Sequence, residues 1–349
     1  MKKWLFMTLV SIMALVLVAC GGNDSSNSSG TAGSSDQYTA DKPLVIKFSH
    51  VTSIESVKGK AADEFARLVD EKTDGKVKVE VYPSSQLYGD NDELDALISG
   101  NVHMIAPSVT KMVKIDPRWQ YVDMPFLFED DEHVQKFFKS DVAQTILNSD
   151  QLAANDIKGI SFWGNGFKHF SSNKKPLVNV EDFKGLKFRA QAGKVLEAQF
   201  HALGAGSATI AFGETYAALQ QGTVDGQENT FNNFDTQKYQ EVQKYLSTTA
   251  HGRLDYAIFV NKSFWDSIPA DLLTLVEEAL TEATDLANQL AADENAKSFE
   301  NIKNSGTVEI YEMTQEERDA LKEALQPVYD EFTETITPEL IEGIQSLKK

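Results

Sequence analysis

Along the first third of the chain the apolar positions alternate between a two-residue and a 3.6-residue period. Leu44-Val45-Ile46-Lys47-Phe48 reads as a strand. From Lys58 to Glu71, Ala61, Ala62, Phe65, Leu68 and Val69 recur at helical spacing. Gly75 ends that helix, and Val77 to Tyr82 alternates as a second strand. Asn91 to Ile98 predicts a helix stopped by Gly100, and Val102 to Ala106 a buried strand running into Pro107-Ser108. A β-α-β-α-β order predicts a largely parallel sheet with crossover helices.

A second series follows. Ile160 to Trp163 predicts a strand, Gly164-Asn165-Gly166 a turn, and Phe167 to Ser171 an extended segment. Leu186 to Ala190 reads as a strand, Lys194 to Leu203 and Phe212 to Gln220 as helices, and Gly222 to Gly226 as a strand-like passage. Ala257 to Asn261 gives one more strand. Leu272 to about Ile302 is a single long amphipathic pattern, long enough to run along two lobes. Thr314-Gln315-Glu316-Glu317 is a capping box that opens a last helix. The fold class is α/β.

The N-terminus changes this picture, because it has to be set aside before the fold is considered. Lys2 and Lys3 precede an apolar run from Leu5 to Val18, too short to span a bilayer comfortably. Leu17-Val18-Ala19-Cys20 then forms a small-residue cleavage site and resembles the lipobox of bacterial lipoproteins. Residues 1–19 are expected to be a signal peptide, with Cys20 lipidated; the alternative is an ordinary secretory signal beside a chance cysteine. Cys20 is the only cysteine, so no internal disulfide, Cys-ligated metal or cysteine nucleophile is available. The Gly/Ser/Asn-rich stretch after it cannot bury enough apolar surface to order itself, and 20–41 is expected to act as a leash.

The formal net charge of −19 argues against nucleic acid, whose phosphates need clustered Lys and Arg. It also means that any anion site must be a local cationic cluster working against the overall field. Signatures of catalysis are missing: no HExxH, no Walker A loop, no Gly-x-Ser-x-Gly elbow. The six histidines are dispersed, none at metal-ligand spacing with a partner. No catalytic residue, metal or cofactor is expected. What stands out is cations at strand ends. Arg189 ends Leu186-Lys187-Phe188-Arg189, and ligands of open α/β sheets lie beyond the carboxyl ends of the strands. A guanidinium there can hold a carboxylate by two parallel hydrogen bonds. An interdomain salt bridge would explain Arg189 equally well. Lys168, ending Gly166-Phe167-Lys168, could bring a second positive charge to the same cleft.

Four stretches, "GFKHFSSNKKPLVNVEDFKGLKFRAQAGKVLEAQFHALGA", "AFGETYAALQQGTVDGQEN", "YPSSQLYGDNDELDALISGNVHMIAPS" and "VNKSFWDSIPADL", together resemble the core motifs of the solute-binding proteins of TRAP transporters. The similarity runs in order from about Leu44 to the last helix. It implies a two-lobed, periplasmic-binding-protein-like fold, each lobe a mostly parallel sheet with flanking helices, and one long helix spanning both. The arginine that pairs with the ligand carboxylate in that family falls on Arg189, its asparagine on Asn229, and an aromatic pocket wall on Phe212. Many members carry a second arginine where this chain has Lys168, which acts as a point charge and not as a fork. That lysine form resembles the C4-dicarboxylate branch. Thr230 stands where proline is usual.

The resemblance thus implies a non-enzymatic extracytoplasmic receptor for malate, succinate or fumarate, which delivers its ligand to membrane permease subunits. A sugar acid or other carboxylate is the nearest alternative, and an extracytoplasmic hydrolase a more distant one. A second carboxylate needs donors in the first lobe. His50, Lys58 and Ser108 are candidates at a strand end, a helix start and another strand end; a solvated helix position for Lys58, and packing or capping for the other two, are the competing explanations. Lobe 1 is expected to comprise 42–165 and about 254–295, and lobe 2 to comprise 166–253 and about 296–349. The expected molecule is a monomer on the outer face of the cytoplasmic membrane, held there by its lipid.

Overall fold

A computed structural model describes residues 34–348, so the expected signal peptide, Cys20 and most of the expected leash lie outside the described residues. Strand β1 (Leu44–Ser49), helix α1 (Val57–Lys72), β2 (Val77–Tyr82), α2 (Glu93–Ile98) and β3 (Met104–Ile105) follow in the predicted order. β1 pairs in parallel with both β2 and β3. Ser56 starts α1 by accepting a hydrogen bond from the Gly59 amide, one of the donors a helix leaves free at its first turn. Three short helices, α3 (Asp131–Phe138), α4 (Asp141–Leu147) and α5 (Asp150–Ala154), lead into the long strand β4 (Ile157–Ser172).

Beyond β4 a second parallel set forms, with β5 (Lys187–Ala190) pairing with β6 (Gly206–Thr209) and β7 (Gly226–Asn229). Helices α6 (Lys194–Ala202) and α7 (Thr215–Gln220) make the crossovers, and α8 (Phe231–Thr236) follows β7. The chain returns through β8 (Tyr245–Asn261), α9 (Lys262–Ser267) and α10 (Ala270–Ser305). It ends with β9 (Glu309–Tyr311), α11 (Gln315–Ala324), α12 (Gln326–Ile336) and α13 (Pro338–Gln345). The strand order is β2-β1-β3-β8-β4-β7-β5-β6, with β9 beside β8. The parallel halves predicted for the two lobes are therefore present. They are joined by a central pair, β4 and β8, that is antiparallel.

Three local expectations give way. Gly164-Asn165-Gly166 is not a turn: it lies inside β4, with a register shift between Gly164 and Gly166. The two glycines serve helix packing instead of chain reversal. A Cβ on Gly166 would come within 2.8 Å of the Asn295 side chain, and one on Gly164 within 3.2 Å of Asn288, both on α10. Residues 222–225 are likewise a turn, and the strand begins at Gly226, where a Cβ would lie 2.1 Å from the Ser171 carbonyl of the neighbouring strand. The single last helix is three. The Thr314/Glu317 capping box opens the first, and prolines stand in the first turns of the other two, where a missing N–H costs nothing.

α10 has 36 residues, about 54 Å at 1.5 Å per residue. Its first half packs Leu272, Val276, Ala279, Leu280, Ala283 and Ala287 into the core of the β1-β2-β3 half. Farther along, Asn288 and Asn295 bond the backbone of β4 at Gly164 and Asn165, and Asn301 bonds Asp235 on α8. This one helix thus touches both halves, as the length of its pattern predicts.

Candidate functional site

The carboxyl ends of β1 and β3 face those of β5, β6 and β7 across a cleft, the place where open α/β sheets hold ligands. A cavity of about 20 Å³ lies there, lined among others by Asp90, Ser108, Lys111, Arg189, Phe212 and Tyr256. Three of these, Arg189, Phe212 and Ser108, are residues singled out in the sequence. A larger hollow of about 260 Å³ against α10 is lined by Phe167, His169, Phe231 and Phe299, and no Lys or Arg lines it. Of these two, the cleft has the chemistry of an anion site.

Arg189 is 1% exposed at the end of β5. Its Nε donates to the Ile210 carbonyl at 2.9 Å, while Nη1 is buried without a partner. Among the described residues no carboxylate forms an ion pair with it, so the interdomain salt bridge is not what holds it there. Burial lowers its pKa, with Tyr239, Asp90 and Glu228 opposing, and a guanidinium stays charged under any such shift. A buried cation with an unspent donor is costly in a folded protein unless something charged complements it. Opposite stands Lys111, with Nζ 2.9 Å from Asp90; burial pulls its pKa down and Asp90 pushes it up. Ser108 Oγ donates to Gln191 Oε1 at 3.0 Å, tying the end of β3 to the loop after β5.

The remaining predicted residues take other places. Lys168 does not line the cavity. Its Nζ lies 2.5 Å from Glu228 and 3.2 Å from Asp123, and all three side chains are 1% exposed. Glu228 also accepts from Gln199 Nε2 at 2.8 Å and is 2.7 Å from His251 Nε2. Burial would raise the Glu228 carboxyl, but Lys168 and His251 outweigh it and hold the pKa well below the carboxylate range. Burial dominates at Asp123, which is pushed up to about 6. The lysine's charge is thus already matched by two carboxylates behind the cleft wall.

Asn229 ends β7. Its Oδ1 accepts from the Thr230 amide and from Asn233 Nδ2, and its Nδ2 is buried without a partner. Thr230, in place of the family's usual proline, caps α8 by accepting from the Asn233 amide. Lys58 is not a solvated helix residue. It is 1% exposed, donates to the Ala106 carbonyl at 2.7 Å and lies 3.8 Å from the centre of the Tyr256 ring. Burial lowers it to about 8, against the attraction of Glu93 and Asp90. His50 is fully buried and held down to about 3 by burial and then by Lys58, so at neutral pH it is an uncharged imidazole. Neither residue lines the cavity, whereas Tyr256, whose ring Lys58 lies over, does.

Lys111, Asp90 and Tyr256 were not legible as site residues. Lys111 sits in the short 3₁₀ segment Val109–Lys114, whose Val-Thr-Lys-Met-Val-Lys has no period that points inward. Asp90 sits in a Gly-Asp-Asn-Asp turn, where acidic residues are ordinary. Among the described residues, no group of three or more His, Cys, Asp or Glu could hold a metal ion, and no helix is long and apolar enough to cross a membrane.

A family model described as bacterial extracellular solute-binding protein, family 7, matches residues 48–335. The chain is 46% identical over 306 residues to the C4-dicarboxylate-binding periplasmic protein DctP of Rhodobacter capsulatus, which covers 87% of this chain and 91% of that protein. Its structure resembles that of a TRAP periplasmic solute-binding protein from Shewanella oneidensis with bound succinate. The TM-score is 0.85 at 37% identity, covering 88% of this chain and 100% of that one. A TRAP periplasmic solute-binding protein from Pseudomonas aeruginosa with bound L-malate matches with a TM-score of 0.80 at 40% identity, over 82% of this chain and 99% of that one.

Proposed function

The chain belongs to family 7 of the bacterial extracellular solute-binding proteins, and from that premise we propose that it captures a C4-dicarboxylate, malate, succinate or fumarate, for a TRAP permease. It is a receptor, not an enzyme. The observation that carries the ligand class is the buried Arg189 guanidinium with Nη1 unpartnered at the cleft, faced by a second cation, Lys111. Arg189 takes one carboxylate through its fork, and Lys111 answers the other as a point charge. Lys168, matched by Glu228 and Asp123, stiffens the wall that carries Arg189. Asn229, Phe212 and Ser108 complete the surround; Lys58 and His50 support it from behind.

A cavity of about 20 Å³ has room for roughly one water, so a four-carbon diacid enters only if the halves part and close again. The β4–β8 register shift at Asn165 lies at the proposed boundary between 42–165 and 166–253, where an extra residue lets paired strands bend. Succinate, malate and fumarate at a hundred times their Kd are expected to stabilise the protein by about 2.7 kcal/mol in its unfolding curve. Their monoamides stabilise less, having lost one charge. Equal shifts from the diacids and the monoamides would rule out the diacid reading and leave an anion receptor.

Residues 1–19 are proposed to be removed and Cys20 lipidated, so that a monomeric receptor is held at the outer face of the membrane. Cys20→Ser is expected to leave the protein in the soluble fraction or unprocessed. A Cys20→Ser protein that stays processed and membrane-bound would refute the anchor.

A further inference from the structure

Resting on the receptor reading, we infer that Asp90 is a latch that closes the cleft independently of the ligand. Asp90 stands between β2 and α2, on the first half of the sheet, and is 8% exposed. Its two carboxylate oxygens each lie 3.3 Å from the backbone nitrogen of Phe212, which follows β6 on the other half. The Phe212 N–H opens the helical turn Phe212–Glu214, and the residue before it, Ala211, has no side chain able to cap it. The acceptor this amide needs is therefore supplied from across the cleft, and not by its own element as at α1 and α8. Lys111, 2.9 Å from Asp90 on the same half, holds the carboxylate in place. The bond can exist only when the halves approach. Ligand affinity is the product of contact strength and the share of molecules that can close, so the latch acts on the second factor. Asp90 is in this sense a positioning residue: it multiplies the affinity for every ligand alike, whereas Arg189 chooses among them.

The test has two readouts. In the ligand-free protein, amide-resolved hydrogen exchange is expected to find Phe212 protected. Asp90→Ala removes most of that protection, and Asp90→Asn, which keeps an acceptor oxygen, restores part of it. A Phe212 amide that exchanges freely in the unaltered protein, or equally in all three, overturns the latch. Calorimetric titration with succinate, L-malate, fumarate and gluconate then reads the factor on binding. Asp90→Ala is expected to weaken each ligand that binds by the same factor, about tenfold, with Asp90→Asn in between. A loss confined to diacids would make Asp90 a ligand-selecting group through Lys111 and refute the inference. If gluconate alone binds, the dicarboxylate reading fails while the latch is still read, on gluconate.

Discussion

Lys168→Ala is expected to lower the unfolding free energy of the ligand-free protein by about 3–5 kcal/mol, the usual cost of leaving one side of a buried ion pair uncompensated. Two carboxylates, Glu228 and Asp123, depend on this ammonium, and none of the three side chains reaches water. Removing the cation strands both charges in a region of low polarity, which Asp123 can escape by taking a proton more readily than Glu228. Urea denaturation checks the magnitude. Adding Glu228→Gln to a Lys168→Met change is expected to recover much of the loss, because the amide oxygen left beside Gln199 and His251 carries no charge and Asp123, already pushed up to about 6, can take a proton. If Lys168→Ala melts like the unaltered protein and only binds succinate more weakly, the ammonium serves the ligand and the wall is held some other way.

Arg189→Lys is expected to do the reverse: intact folding and a loss of about 1.5–3 kcal/mol in succinate binding, roughly ten- to hundredfold in Kd. The positive charge survives the change, so any loss reports the fork. Folding is spared because Arg189 has no carboxylate partner within ion-pair reach among the described residues; its one bond is to the Ile210 carbonyl. Calorimetry of the variant beside its unfolding curve decides the matter. Unchanged affinity would place the carboxylate elsewhere, and an unfolded variant would make Arg189 structural.

The contrast between these two residues shows where reading along the chain stops. Both are cations that read in the sequence as the end of an extended segment pointing to the cleft, although Lys168 in fact lies inside β4. What separates Lys168 from Arg189 is what the fold brings beside them: Glu228 from β7 and Asp123 from the segment before α3 for one, and among the described residues no ion-pair partner for the other. Lys58 belongs to the same lesson, since helical spacing could not say whether its ammonium was solvated or lay over Tyr256, almost two hundred positions away.

Local periodicity did determine β1, α1, β2, α2, α6 and α10, because hydrophobic burial on one face is a property of neighbours in the chain. The capping box at Thr314 was determined for the same reason. The glycines at 164 and 166 were not, since a turn and a close helix contact demand the same missing Cβ, and only α10 lying across β4 distinguishes them. The antiparallel pairing of β4 with β8 joins segments some ninety residues apart, and no period within either strand records its partner. Arg189 as a cation at the cleft end of a strand was legible from its position in the sequence. Lys111 and Asp90 were not, because their meaning lies in a distance across the cleft, set only once both halves of the sheet have folded around β4 and β8.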